Sequence, residues 1–124
     1  MNSTVTKVAR ILLAIIMLVF GANKFFSFLP MPPLPEEAGA FMGALGESGY
    51  IFPILGIVYI LVGLCLLFNK AVPFALVMLV PVSINIVAFH LRFDPEGVGA
   101  AALVAILNLF LLYIYFDKLK ALFE

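Results

Sequence analysis

The cluster of side chains in which a site would first be sought falls in one stretch. It runs from Ala71 to Asp94, AVPFALVMLVPVSINIVAFHLRFD, and carries the single histidine, His90. Asn85 sits inside the apolar run, and Arg92 and Asp94 lie just beyond the histidine. An imidazole can relay a proton, hydrogen-bond a ligand oxygen or ligate a metal. One histidine beside a single, distant cysteine cannot close a metal site within one chain, so no metal ligand is assigned. Three roles are weighed for His90: hydrogen bonding at a helix end first, then a small-molecule contact, and last ligation of a metal or haem completed from outside this chain. Ser83 and His90 are seven residues apart and share a helical face, which Asp94 joins if the helix continues. Asn85 and Arg92, with the same spacing, fall roughly on the opposite side. All of them line one pocket only if the helix unwinds near His90.

A second polar group closes the first apolar run, at Asn23 and Lys24. Lys24 is either an interfacial anchor with its ammonium reaching the headgroups, or a positive charge in an outer pocket. In the second case Lys24 or Arg92 would hold an anionic or carbonyl group. Asn85 is first a residue for bridging helices, and Asn108 in the last run is its expected partner. Glu36, Glu37 and Glu47 are expected to be solvated loop charges. Cys65, the one cysteine, lies in an apolar run and reads as a small packing residue. A lone thiol excludes an internal disulfide or a dithiol redox mechanism. No nucleophile–base pair, nucleotide-binding loop or metal-spacing motif is present, and no catalytic residue is assigned.

The elements that must position these residues are set by composition. Of 124 residues, 65% are hydrophobic and 11% charged, with a net charge of zero. The mean hydropathy is +1.24. A soluble domain is about 45–50% apolar and about 25% charged, so this chain has too little polar surface for water. The expected fold is all-α, a single integral membrane four-helix bundle. Its spans fall at about 6–28, 51–68, 71–91 and 98–116, each near the ~20 apolar residues needed to cross the hydrocarbon. With no basic block, the chain has no footprint for nucleic acid.

The N-terminal segment, with Lys7 and Arg10 before an apolar core, resembles a signal peptide. It continues through Gly21-Ala22-Asn23-Lys24 without a small-x-small cleavage site, so a retained first helix is expected. Thr4 and Thr6 fall in its first turns, with Ser3 a candidate cap. Pro30, Pro32, Pro33 and Pro35 break any continuation. Pro35 at a first helical position, followed by Glu36 and Glu37, suits a new helix start. That helix is too short to span. Phe41, Ala44 and Leu45 give it an apolar face, and it is expected to lie in the interface.

In the second span Gly56, Tyr59 and Gly63 share a face and would let a neighbour approach closely. Asn69-Lys70 is so short a turn that spans two and three must be antiparallel. Pro81 removes the hydrogen bond to the Val77 carbonyl and should kink the third span. Asp94-Pro95-Glu96-Gly97 is a turn signature. Tyr113 and Tyr115 suit the far interface. Lys7, Arg10, Lys70, Lys118 and Lys120 fall on one side, and only Lys24 and Arg92 on the other. The positive-inside rule therefore puts both termini in the cytoplasm and the His90 end outside.

On this pattern the chain resembles the DoxX-like family of small bacterial membrane proteins. The matching features are ARILLAIIMLVFGANKF with its Gly-x-x-Lys at Gly21 and Lys24, the second span GIVYILVGLCLLF, and the third span ending NIVAFH. The resemblance covers about Val8 to Phe116. It implies a four-helix bundle in the bacterial inner membrane, and for some relatives a link to thiosulfate–quinone oxidoreduction or to membrane oxidoreductase complexes. Many members carry a glutamate in span two, four residues before the glycine; here Tyr59 holds that position before Gly63.

The leading expectation is a subunit or accessory of an oxidoreductase system, with a quinone-like ligand between spans one and three near the outer leaflet. The candidate ligand-binding residues are His90, Lys24, Arg92, Asn85, Asn23 and Tyr59. His90 would hydrogen-bond a carbonyl while Lys24 or Arg92 stabilises negative charge, and a partner would supply electrons. The alternative is a non-enzymatic packing subunit of a larger membrane complex, bound through glycine and alanine faces. Its partners would be lipids together with other subunits or further copies of itself. A solute transporter is disfavoured, since only Asn85 and Asn108 are polar near mid-membrane.

Overall fold

A computed structural model describes residues 3–26 and 34–123. Every regular element among them is helical. In chain order these are α1 (Ser3–Phe26), α2 (Glu36–Glu47), α3 (Ile51–Leu67), α4 (Val72–Phe93), α5 (Val98–Ile114) and the short α6 (Phe116–Leu119). One 3₁₀ turn, Pro95–Gly97, joins α4 to α5, and a second, Lys120–Phe123, follows α6.

Among the described residues, three stretches are long and apolar enough to cross a membrane: Ser3–Phe26, Val72–Phe93 and Pro95–Ile114. A fourth crossing is available if α2 and α3 count together, but their axes are bent by 89°. With 17 residues α3 is about 25 Å long, at the short end of what spans a hydrocarbon core of about 30 Å. An α3 along the membrane normal leaves α2 running along the plane, as expected for an interfacial helix.

The helices form a closed ring of contacts. α1 against α3 is the most extensive pair and α4 against α5 the next, while α1–α5 and α3–α4 complete the ring. α2 touches α3 and α4. The core follows from spacing: Leu13, Ala14, Met17 and Gly21 are buried on α1, and Gly56, Tyr59, Val62, Gly63 and Leu66 on α3. These recur every three or four residues, which is one helical stripe. α4 contributes Ala75, Leu76 and Leu79, and α5 contributes Val104, Leu107 and Leu111. The opposite faces carry exposed leucine, isoleucine and phenylalanine, among them Ile84, Ile106 and Leu109. That is the pattern of helices with apolar solvent outside.

Glycine sets how close α1 and α3 come. A Cβ on Gly21 would lie 2.9 Å from Ile60 Cγ1 and 3.1 Å from the Ile60 backbone nitrogen. On Gly63 it would meet Leu18 at 2.7 Å, and on Gly56 the Phe25 ring at 2.6 Å. At Gly21 and Gly63 backbone thus approaches backbone, at the Ile60 nitrogen and the Ala14 carbonyl oxygen, while Gly56 makes room for the Phe25 ring.

Several boundaries differ from the sequence expectations. α1 is already helical at Ser3, and the expected end of span one at 27–28 lies outside the described residues, as do Pro30, Pro32 and Pro33. Pro35 is the N-cap of α2 rather than its first helical residue, with φ −53° and ψ 154°. Its carbonyl accepts from the Gly39 N–H at 2.9 Å. On α2, Phe41 packs against α4 while Ala44 is exposed. Pro81 lies inside α4, where the sequence put it.

The α3–α4 turn is as tight as its two-residue sequence implied. The Lys70 N–H reaches back to the Cys65 carbonyl at 2.9 Å, around Asn69 at φ 57°. This is the usual left-handed close of a helix, and asparagine tolerates it. Ala71 follows at φ 52°, where a Cβ is disfavoured.

Candidate functional site

At the end of α4 the helix persists to Phe93 and Asp94 caps it, which puts His90 and Asp94 on one face. His90 Nδ1 lies 3.6 Å from Asp94 Oδ2 and 3.3 Å from the Asp94 carbonyl oxygen. Both side chains are largely sheltered, at 21% and 14% exposure. The Phe89 ring stands edge-on to the imidazole at 5.2 Å. The Pro95–Gly97 turn folds back over the pair, and Gly97 is what permits it. A Cβ there would lie 2.6 Å from Asp94 Oδ2 and 3.0 Å from His90 Nδ1. Asp94 thus occupies the Nδ1 side of the ring, and Nε2 is the nitrogen left to meet a ligand.

α2 is held to this end from the side. Phe41 stacks on Phe89 and Phe93, with centroids 5.8 and 5.2 Å apart. Glu37 accepts from Arg92 Nη1 at 3.3 Å, with both side chains about two-thirds exposed. Glu37 is therefore paired rather than simply solvated, though an exposed pair contributes only about 0–1 kcal/mol. Arg92 also lies 4.9 Å from the Phe93 ring centroid.

Lys24 belongs to a different contact. Its ammonium sits 5.3 Å above the Tyr59 ring and 5.9 Å from Phe52, both on α3. Tyr59 is buried, and Asn23 beside Lys24 is half-buried. His90 packs with Asp94 and Gly97 at the α4–α5 turn, while α1 makes its contacts with α3 and α5. The six candidate residues thus separate into an α1–α3 group (Asn23, Lys24, Tyr59), an α4 terminus (His90, Arg92) and Asn85.

Asn85 and Asn108 do not pair. Asn85 is exposed and its Nδ2 donates to the Pro81 carbonyl at 2.8 Å, one turn back on its own helix. Asn108 is buried: its Oδ1 accepts from Ser83 Oγ and its Nδ2 donates to the Leu76 carbonyl, each at 3.1 Å. The heptad spacing that sorted the polar residues of α4 also explains this outcome. Ser83 shares the core face with Leu76 and Leu79, whereas Asn85 is two residues on and turned outward.

The residue missed by the sequence reading is Arg10. It is buried, at 9% exposure, and its Nη1 donates to the Leu66 carbonyl and, at 3.3 Å, to that of Leu67. A guanidinium there closes the carbonyl end of α3, where positive charge is favoured. Arg10 lies three, four and seven residues before Leu13, Ala14 and Met17, on the buried stripe. That spacing could have found it. Beside it is an open cavity of about 480 Å³ between the start of α1, the α3–α4 turn and the end of α5.

Protein-family models, curated proteins and solved structures offer no match to this chain. What can be said of the site therefore rests on its own geometry. It consists of a histidine–carboxylate pair at one end of the apolar helices and a buried arginine beside a cavity at the other.

Proposed function

We propose that this chain is a four-span inner-membrane protein of the DoxX-like type, with both termini cytoplasmic, acting as a subunit or accessory of a membrane oxidoreductase system. The observation that carries the reading is the sheltered His90–Asp94 pair under Gly97. A carboxylate that fixes one imidazole nitrogen leaves the other to donate to or accept from a ligand oxygen. The donor set fits a quinone-like ligand at His90. Such a ligand, when bound, supplies two-electron redox capacity, with electrons coming from a partner protein. His90 Nε2 hydrogen-bonds its carbonyl, and Asp94 holds the ring in place. Arg92, on the same helix end, adds positive charge. Lys24, held over Tyr59 and Phe52, would supply a second positive charge on the outer side.

The assembly reading draws its support from α5. The glycines of α3 are taken up within the chain by α1, so they are not free to bind a neighbour. Gly99 has open space around it, and Ile106, Leu109 and Tyr113 are exposed on the same helix. That face is the one a packing subunit would use.

The deciding experiment is native mass spectrometry with an absorbance spectrum on protein purified in mild detergent, comparing wild type with His90→Ala. A quinone-sized mass retained by the wild type and lost in the variant is the expected result. Lipids and a stoichiometric partner alone, unchanged by the substitution, would replace the redox reading with the assembly one.

A further inference from the structure

We propose that the cavity at the Arg10 end binds the phosphate group of an anionic phospholipid headgroup. The inference rests on the chain lying in a membrane, but not on a ligand at His90, which sits at the opposite end of α4. The cavity of about 480 Å³ is lined by Lys7, Arg10 and Lys118, with the hydroxyls of Ser3 and Thr6 and the amide of Asn69. Three of the chain's seven basic residues therefore meet at one opening.

Arg10 is fixed rather than free. The α3 carbonyls hold its Nη1, so its charge is already placed at the cavity wall and this side chain need not be ordered on binding. Asp117 also lines the cavity, but it turns to Lys120 at 3.6 Å and its side chain is 96% exposed. Its charge is therefore spent largely on water and on that lysine. The lining stays net positive, and phosphate oxygens are the acceptors that guanidinium, ammonium and hydroxyl donors suit.

The position favours a headgroup over a dissolved anion. The cavity opens where the apolar stretches of α1 and α5 end, and its wall continues into Ile114 and Tyr115. A phosphate tethered to a glycerol backbone meets charge at one end and apolar surface at the other. This is also the lysine-rich side of the chain, where attraction to an anionic leaflet is strongest.

The test is native mass spectrometry of the full chain from mixed micelles holding equal phosphatidylglycerol and phosphatidylcholine, with inorganic phosphate added in a parallel series. The wild type should retain phosphatidylglycerol preferentially, and Lys7→Gln/Lys118→Gln should lower that preference by about tenfold. Both lysines are exposed, so the double variant should keep its helical circular dichroism. Arg10→Lys, which keeps the charge, should retain more of the preference than the double variant does. His90→Ala should leave it unchanged, which separates the failure of this proposal from failure of the redox reading. Equal retention of the two lipids by the wild type would overturn the proposal, as would an unaltered preference in the folded double variant. Inorganic phosphate that binds without any lipid preference would assign the cavity to a free anion and overturn the headgroup.

Discussion

The two largest helix contacts are built on opposite principles. Between α1 and α3, glycine removes side chains so that Gly21, Gly56 and Gly63 receive Ile60, Phe25 and Leu18. Between α4 and α5, a buried Asn108 spends its amide on Ser83 and on the Leu76 carbonyl. The first contact is specified by shape, the second by hydrogen bonds. In lipid no hydrophobic force draws one apolar helix to another, so close packing and internal polar bonds are the means left. The comparison teaches where each seam is fragile. A shape-made seam fails when something is added, and a bond-made seam fails when something is removed.

The largest effect should come from filling the shape-made seam. Gly21→Val would push a branched side chain against Tyr59 Cβ and the Ile60 backbone, neither of which can swing away. A loss of about 3 kcal/mol is expected, the upper part of the range for overpacking. It can be read by reversible unfolding in mixed detergent micelles. A change below about 0.5 kcal/mol would mean that α1 and α3 do not approach as described.

Asn108→Leu is the corresponding test of the bond-made seam. It removes both interhelical hydrogen bonds and leaves Ser83 Oγ without its acceptor, so about 1–2 kcal/mol should be lost in the same assay. If Asn108→Leu costs more than Gly21→Val, the ranking of the two seams is reversed.

The smallest effect concerns the point where charge enters the shape-made seam. Lys24 lies over Tyr59, and a carboxylate placed there would meet its charge directly. In a double-mutant cycle, Lys24→Ala should cost about 1 kcal/mol more in a Tyr59→Glu background than in the wild type. Additive costs would mean that positions 24 and 59 do not face one another.

Much of the fold could be read along the chain because apolar length and helical spacing constrain it so strongly. Apolar length defined the long helices, and the Asn69-Lys70 turn and the Asp94–Gly97 turn appeared where their residue types demanded. The Gly56–Tyr59–Gly63 face was legible from spacing alone, since side chains three and four residues apart must share one side of a helix. His90 and Asp94 were placed on one face by the same rule.

Partners across helices were not legible. Asn85 on α4 and Asn108 on α5 are the same residue type, and only how each helix is rotated in the packed structure turned the first outward and the second into the core. Nor could the sequence say that Arg10 would reach the carbonyls of α3, since that bond joins residues 56 apart. Local periodicity decides which face a residue occupies, because it depends only on the helix repeat. Which face meets which depends on how all four long helices pack at once, and that decided the Lys24–Tyr59 contact, the Ser83–Asn108 bond and the cavity beside Arg10.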